Sequence, residues 1–373
     1  MQKQYISLGL MSGTSGDGVD ASLIISDGIS NYEAIKDKYF EYDEDIYKNI
    51  HILKEKIYSK QDLEKYSKEI SSLERNITLF HAKVIEEMKI KQEQYLIGFH
   101  GQTIYHNSKE KISKQLGDAR LLHQLIQKDI IYNFRKNDIL NGGEGAPLTP
   151  IFHQLLATQK KLTLPICILN IGGISNITII NKKTGSDDFS SRDIGPGNCL
   201  IDKWVRKNSK QKYDSYGLLA SSGETNSIIL EQAQELYANR LNKEKKSFDT
   251  NDFDVSFVRG LSLEDGTKTL TDFTASLISE ELKKDISKMI SPIKNIVLCG
   301  GGRKNKTLVK SIRNFLNSSY DLEIIDDYKI NGDFIESQAF AFIAIRSYQK
   351  LPISFPQTTG CIKPCTGGEF IGN

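Results

Sequence analysis

Apolar residues come in blocks along this chain, and the spacing inside the blocks changes from one to the next. "QYISLGLMSG" reads as a buried strand that ends on a glycine turn, and "DASLIISDG" reads as its partner. Together they predict a hairpin with its bend over 13–18. From Gln61 the period lengthens. Leu63, Tyr66, Ile70, Leu73, Ile77, Phe80, Val84 and Met88 recur at steps of three and four, which predicts one face of a long helix. "YLIGFHGQTIYH" predicts a strand running into a polar loop, and "DARLLHQLIQKD" a shorter helix. "IIYNFRKNDILNGGEGAPLTPIFHQLLA" predicts a strand, a glycine–proline loop and a helix.

The pattern of the opening then returns. "PICILNIGGISNITIIN" is an apolar strand, a small-residue turn and a second strand, about 160 residues after the first such hairpin. "SSRDIGPGNCLIDKWV" predicts a loop entering a helix. "SGETNSIILEQAQELYANRL" and "LTDFTASLISEELKKDISKMI" predict two more helices. "IKNIVLCGGGRKNKTLVKSIRNFL" predicts a strand, a triple-glycine turn and a helix. "DFIESQAFAFIAIRSYQKLP" predicts a last helix ended by Pro352, followed by a loop-like tail. Alternating strands and helices predict an α/β chain. Two domains are expected, residues 1–132 with 350–373, and residues 133–349.

Length and composition narrow the function. The 373 residues suffice for two cores. Lys and Arg number 49 against 47 Asp and Glu, a balance that argues against a nucleic-acid partner. The short basic runs "NKEKK" from Asn242 and "GRKNK" from Gly302 read as solvated faces. No apolar run reaches the ~20 residues of a membrane helix, and the N-terminus lacks a signal peptide's pattern, so a soluble cytoplasmic protein is expected. Five scattered cysteines argue against a disulfide framework; Cys361 and Cys365 lack a nearby His for a metal site.

Three glycine turns follow apolar strands: Gly13–Thr14–Ser15–Gly16, Gly172–Gly173 and Gly300–Gly301–Gly302. Glycine lets backbone N–H groups close on an anion, so phosphate binding is the chemistry these turns suggest. No P-loop, dinucleotide or protein-kinase motif is present. What remains is a phosphate hairpin in each half and a glycine-rich turn for adenosine, the arrangement of the actin-like ATPases and sugar kinases, with the nucleotide in a cleft between two domains.

The candidate chemistry sits around these turns. Asp17 and Asp20 either cap the first turn or hold Mg²⁺ through water. Asp193, before a Gly-Pro-Gly loop, is a candidate general base or a structural cap. His100, Gln102 and Thr103 read as polar substrate contacts, with a satisfied loop histidine as the other reading of His100. Glu336 opens an apolar helix, where it suits the helix dipole.

Taken in order, "GLMSGTSGDGVDASL", "GFHGQTIYH", "GGEGAPLTP", "LNIGGISNIT", "DIGPGNCLIDKW", "LCGGGRKN" and "IESQAFAFIAIR" resemble the anhydro-N-acetylmuramic acid kinases from Leu8 to about Pro352. The resemblance implies an actin-like two-domain fold, a homodimer, ATP with Mg²⁺, and an anhydro sugar from peptidoglycan turnover. It implies a joint reaction: water opens the 1,6-anhydro ring and the freed 6-oxygen is phosphorylated, giving N-acetylmuramic acid 6-phosphate. It places the catalytic roles on Asp193, as base, and Glu336, positioning sugar and water. ATP contacts are expected from Ser12, Gly13, Thr14, Ser15, Gly16, Asp17, Gly18, Asp20, Gly172, Gly173, Asn176, Gly300, Gly301, Gly302 and Asn305. Sugar contacts are expected from His100, Gln102, Thr103, Pro147 and Asn198. Ile194, Glu144 and the stretch "KSFDTNDFD" depart from the family pattern. A levoglucosan-type kinase and a non-catalytic actin-like nucleotide binder are the alternatives.

Overall fold

The computed structural model describes residues 3–181, 188–238, 247–289 and 291–372. The run "NKEKK" and the ends of two expected helices, at 239–241 and 290, lie outside them. The chain divides into two compact units. The first comprises Met1–Leu162, Lys183–Phe189 and Phe334–Asn373, the second Thr163–Lys182 and Ser190–Asp333.

The first unit is built on a seven-stranded sheet. Its strands are β1 (Tyr5–Ser12), β2 (Gly18–Ser26), β3 (Tyr32–Glu41), β4 (Leu96–Asn107), β5 (Ile112–Leu116), β6 (Asp129–Tyr132) and, from the tail, β12 (Glu369–Ile371). The second unit holds a five-stranded sheet of β7 (Ile166–Ile171), β8 (Ile174–Ile180), β9 (Phe189–Pro196), β10 (Asn295–Cys299) and β11 (Asp321–Ile324). In the first sheet the order is β3-β2-β1-β4-β6-β12, with β5 paired to β4; in the second it is β9-β8-β7-β10-β11. Both therefore read third, second, first, fourth, and each then continues with a later strand, β6 in the first sheet and β11 in the second. In both, the first two strands form an antiparallel hairpin and the fourth joins the first in parallel. The hairpin repeat seen in the sequence is part of a repeat of four strands in each sheet, and the chain has the two-unit α/β organisation expected of an actin-like protein.

Helix placement follows from apolar faces. In the first unit, Leu8, Leu10, Ile97 and Phe99 pack with Ile50 and Leu53 of the helix Glu44–Lys54 and with Ile70, Leu73, Ile77 and Val84 of the helix Ser67–Met88. In the second, Leu169, Ile177, Ile296 and Leu298 meet Ile278 and Leu282 of the helix Leu263–Ile286 and Leu308 and Ile312 of the helix Lys306–Leu316. The helix Ile335–Tyr348 is buried from Ser337 to Arg346. It lies close enough to the first sheet that a Cβ on Gly9 would sit 1.9 Å from the Ser337 carbonyl oxygen, and one on Gly98 2.4 Å from that of Phe340.

Several expectations change here. The chain passes from one unit to the other at 162/163 and 333/334, with a short return at 183–189, rather than at 132/133 and 349/350. The reason is packing: Phe152 of the helix Pro150–Gln159 contacts the rings of Tyr32 and Phe342, so that helix and Ile335–Tyr348 share the first unit's core. The long helix from Gln61 is two helices, Lys60–Lys65 and Ser67–Met88. They break at Tyr66 (φ −99°, ψ 20°), whose ring lies under the ammonium groups of Lys56 and Lys65. The polar stretch after Phe99 continues as strand to Asn107, because β5 pairs along it. "SSRDIGP" is strand β9 rather than loop, because β8 supplies its backbone partner. The tail is not all loop, since β12 pairs antiparallel with β6.

Candidate active site

The first glycine turn joins β1 to β2, whose register pairs Met11 with Asp20. It is braced from beneath. Buried Ser12 donates from Oγ to Gln102 Oε1 (2.7 Å), with the Gly18 carbonyl at 3.0 Å, and accepts from the Tyr42 hydroxyl (3.0 Å). Gln102 in turn donates from Nε2 to the carbonyls of Gly13 (3.0 Å) and Thr103 (3.2 Å). Both N–H bonds of this buried amide are therefore used by the turn and its strand. The structure gives Gln102 a bracing role where a sugar contact was expected.

The glycines of this turn answer to different constraints. Gly16 has φ +64°, and a Cβ there would lie 2.9 Å from Ile50 Cγ2. On Gly18 a Cβ would meet the Phe40 carbonyl oxygen at 2.4 Å. Packing alone demands glycine at both. Gly13 is different: a Cβ would come no nearer than 4.0 Å to its closest neighbour, Ser15 Oγ. It leaves open space over the turn, beside exposed Thr14 and Ser15. Asp17 accepts from the Ser15 hydroxyl at 2.5 Å, and its carbonyl accepts from the Tyr42 N–H. Asp20 stands half-buried on β2. Lys54, at the end of its helix, donates from Nζ to the Thr14 carbonyl (2.7 Å) and brings a cation to this turn.

On β4, His100 is buried with its ring tilted against that of Phe340, centroids 4.5 Å apart. Its Nδ1–H donates to the Gly101 carbonyl (2.7 Å), and Nε2 accepts from Arg135 Nη2 (3.0 Å). Burial, and then the Arg135 charge, push its pKa well below the ordinary 6.5, so it is a neutral acceptor that orients an arginine. Arg135 also donates to the Gly145 carbonyl (2.8 Å), in the loop that leads to buried Pro147. Thr103 Oγ1 accepts from Gln115 Nε2. Glu336 sits half-buried in the first turn of its helix.

In the second unit the turn Gly172–Gly173 is clasped by the loop after β9. The N–H groups of Gly197 and Cys199 donate to the Gly173 carbonyl, and that of Asn198 donates to the Gly172 carbonyl. A Cβ on Gly197 would lie 2.2 Å from the Gly172 oxygen. Asn198 adds a weak bond from Nδ2 to the same carbonyl (3.3 Å). Four residues before Gly197, Asp193 is buried on β9 and accepts from the Phe248 N–H on Oδ2 (2.8 Å). Asn176, on β8, has a buried Oδ1 with no hydrogen-bond partner among the described residues, which suits an acceptor for a ligand donor.

The third turn follows β10. Gly300 takes φ +77°, and a Cβ would collide with Asn170 Oδ1 at 2.4 Å; on Gly302 it would collide with Ile171 Cγ2 at 2.3 Å. Gly301 again has nothing within 4 Å. Asn305 is buried and caps the helix Lys306–Leu316, accepting the Leu308 N–H at 2.9 Å. Arg303 overturns the solvated-face reading of "GRKNK". Its guanidinium is buried, forms two bonds to Asp326 (2.6 and 2.9 Å) and one to Asp333 (2.7 Å), and donates to the Gly300 carbonyl. Burial opposes its charge, but these carboxylates outweigh that and hold its pKa above the usual arginine value.

Sequence reading thus found the turns and the carboxylates but missed Lys54, Arg135, Arg303 and the Phe248 N–H. Their partners lie far along the chain, and no local pattern marks them.

The anhydro-N-acetylmuramic acid kinase family model matches residues 4–372. A curated anhydro-N-acetylmuramic acid kinase from Pelagibacter ubique is 55% identical over the full length of both chains. Those of Rhodospirillum rubrum and Zymomonas mobilis are 36% and 34% identical, each covering 98% of this chain and 93% and 99% of their own. With its phosphate-type turns, its buried Asp193 and this match from end to end, the chain belongs to the anhydro-N-acetylmuramic acid kinase family.

Proposed function

We propose that this protein is an ATP-dependent kinase that opens the 1,6-anhydro ring of anhydro-N-acetylmuramic acid and phosphorylates the 6-oxygen. The observation that carries the reading is the full-length 55% identity to a curated enzyme of that name. The residues fit ATP: Gly13 and Gly301 each leave the backbone of a braced turn open, and the Asn176 oxygen lacks a partner among the described residues. Gly13–Asp20 holds the phosphates, with Thr14 and Ser15 donating to them. Asp17 and Asp20 supply the hard oxygen donors that Mg²⁺ takes, through water. When bound, ATP supplies the phosphoryl group and Mg²⁺ neutralises its charge.

Asp193 takes the proton of the water that attacks the anomeric carbon, on the face opposite the leaving 6-oxygen. The Phe248 N–H pins one of its oxygens and orients the other. Glu336 positions sugar and water, and Pro147, Asn198 and Thr103 border the sugar with the Arg135–His100 pair. A homodimer in the cytoplasm completes the proposal. It is compatible with the described residues, none of whose helices is long and apolar enough to cross a membrane.

The test is sugar-dependent ATP consumption by the purified protein with Mg²⁺, with the phosphorylated sugar identified by mass. Levoglucosan is run alongside. Turnover of the muramic substrate well above levoglucosan is expected, because a pocket built for lactyl and acetamido groups penalises their loss. Preference for levoglucosan would move the assignment to the smaller sugar, and ATP binding without sugar-stimulated turnover would remove the kinase reading.

A further inference from the structure

Two loops of the first unit converge on three side chains that the proposed reaction does not use. Asp138 lies in the short helix Lys136–Leu140, and Cys361 and Cys365 lie in the tail, more than 220 residues on. One carboxylate oxygen and the two Sγ atoms all lie within 4.8 Å of one another, and all three residues are buried. Both cysteines are free thiols.

The surroundings are already closed. Asp138 Oδ2 accepts from the Gly145 N–H (2.6 Å) and Oδ1 from the Thr359 hydroxyl (2.6 Å). The loop folds round this carboxylate so tightly that a Cβ on Gly143 would lie 2.2 Å from Oδ2. The tail is tied to the same loop by Glu144 N–H to the Thr359 carbonyl, Ile362 N–H to the Asn141 carbonyl and Asn137 Nδ2 to the Thr366 carbonyl. Ser354 Oγ lies 3.1 Å from Cys365 Sγ, and the two backbones bridge.

We infer that Asp138, Cys361 and Cys365 form a binding site for a soft divalent cation of the zinc type, stapling the tail to the loop 138–145. In a tetrahedral zinc site the sulfurs stand about 3.8 Å apart, from Zn–S bonds of about 2.3 Å, so the two sulfurs need to close by no more than about 1 Å. Two sulfurs select zinc-like ions over magnesium or calcium. The Gly145 N–H and the Thr359 hydroxyl are the outer partners that orient a ligating carboxylate. Ser354 Oγ or a water completes the fourth position. Binding exchanges two thiol protons for the metal: the cation enters, two S–H bonds break, and both protons leave to solvent. The staple acts on the loop whose Gly145 carbonyl holds Arg135.

The experiment is titration of the reduced, full-length protein with Co²⁺ and Cd²⁺ alone. A sulfur-to-metal charge-transfer band saturating at about one equivalent is expected, together with a rise in Tm. Both are lost in the Cys361→Ala, Cys365→Ala double variant. Should that variant not fold, thiol labelling of the wild-type chain with and without Zn²⁺ decides: protection of Cys361 and Cys365 supports the site. No charge-transfer band from folded, reduced protein overturns it. So does a band that survives in the double variant, or protection confined to other cysteines.

Discussion

Buried Asp193 accepts the Phe248 N–H on Oδ2, a bond that an isosteric amide can keep. Asparagine keeps an oxygen for that N–H but cannot accept a proton. Asp193→Asn is therefore expected to lower sugar-dependent turnover by about 100-fold or more while Tm stays within a few degrees, since a positioned base contributes on that scale. Retention of activity within about tenfold would take the base role away from Asp193. The open glycines invite the opposite experiment. Gly13→Ala adds a methyl group into space, at a φ outside the left-handed range. It should fold normally yet raise the ATP concentration for half-maximal rate severalfold. An unchanged ATP dependence would mean that the turn does not hold nucleotide. At this scale the sequence showed which residues cluster near glycine, but not which glycines serve packing. Gly16, Gly18, Gly300 and Gly302 are required by neighbours such as Ile50, Phe40, Asn170 and Ile171, distant in the chain.

Among the elements, the helix Ile335–Tyr348 carries the most consequence, because it delivers Glu336 and is buried along most of its length. Its seating depends on two bare strand positions, Gly9 and Gly98. Gly9→Ala would drive a Cβ into the Ser337 carbonyl and the Ala341 N–H, at 1.9 and 2.6 Å, both of them backbone. The helix has to move off the sheet. Overpacking of this kind costs about 1–3 kcal/mol, read as a lower urea midpoint, with turnover falling as Glu336 shifts. If the midpoint holds, the helix accommodates the methyl group and its close seating is not needed. The helix itself was legible from the apolar run in "IESQAFAFIAIR". Its unit was not, because a helix buried on all sides has no amphipathic stripe to say which sheet it covers.

For the whole molecule, acid sensitivity follows from its buried histidines. Burial pushes the pKa of His81 and of His153 down to about 4, and that of His100 goes well below its ordinary 6.5. Unfolding restores the ordinary value, so the unfolded chain binds more protons as pH drops. The stabilisation is complete above about pH 6.5 and is lost as pH falls toward 4. Thermal unfolding across that window should show Tm falling, and His81→Phe, which fills the site between Phe99 and Tyr42, should flatten the slope. A Tm constant from pH 6.5 to 4.5 would show that these rings are not held neutral. By itself the sequence determined the α/β class, the duplicated hairpin, the three glycine turns and the carboxylates beside them. Those depend on local period, on residues that tolerate unusual backbone, and on motifs contiguous in the chain. Only the tertiary structure decided the unit boundaries, the bracing of the first turn by Gln102, the pairing of Arg303 with Asp326 and Asp333, and the meeting of Asp138 with Cys361 and Cys365. Each of these joins residues tens to hundreds of positions apart, and their affinity for one another leaves no trace in local spacing.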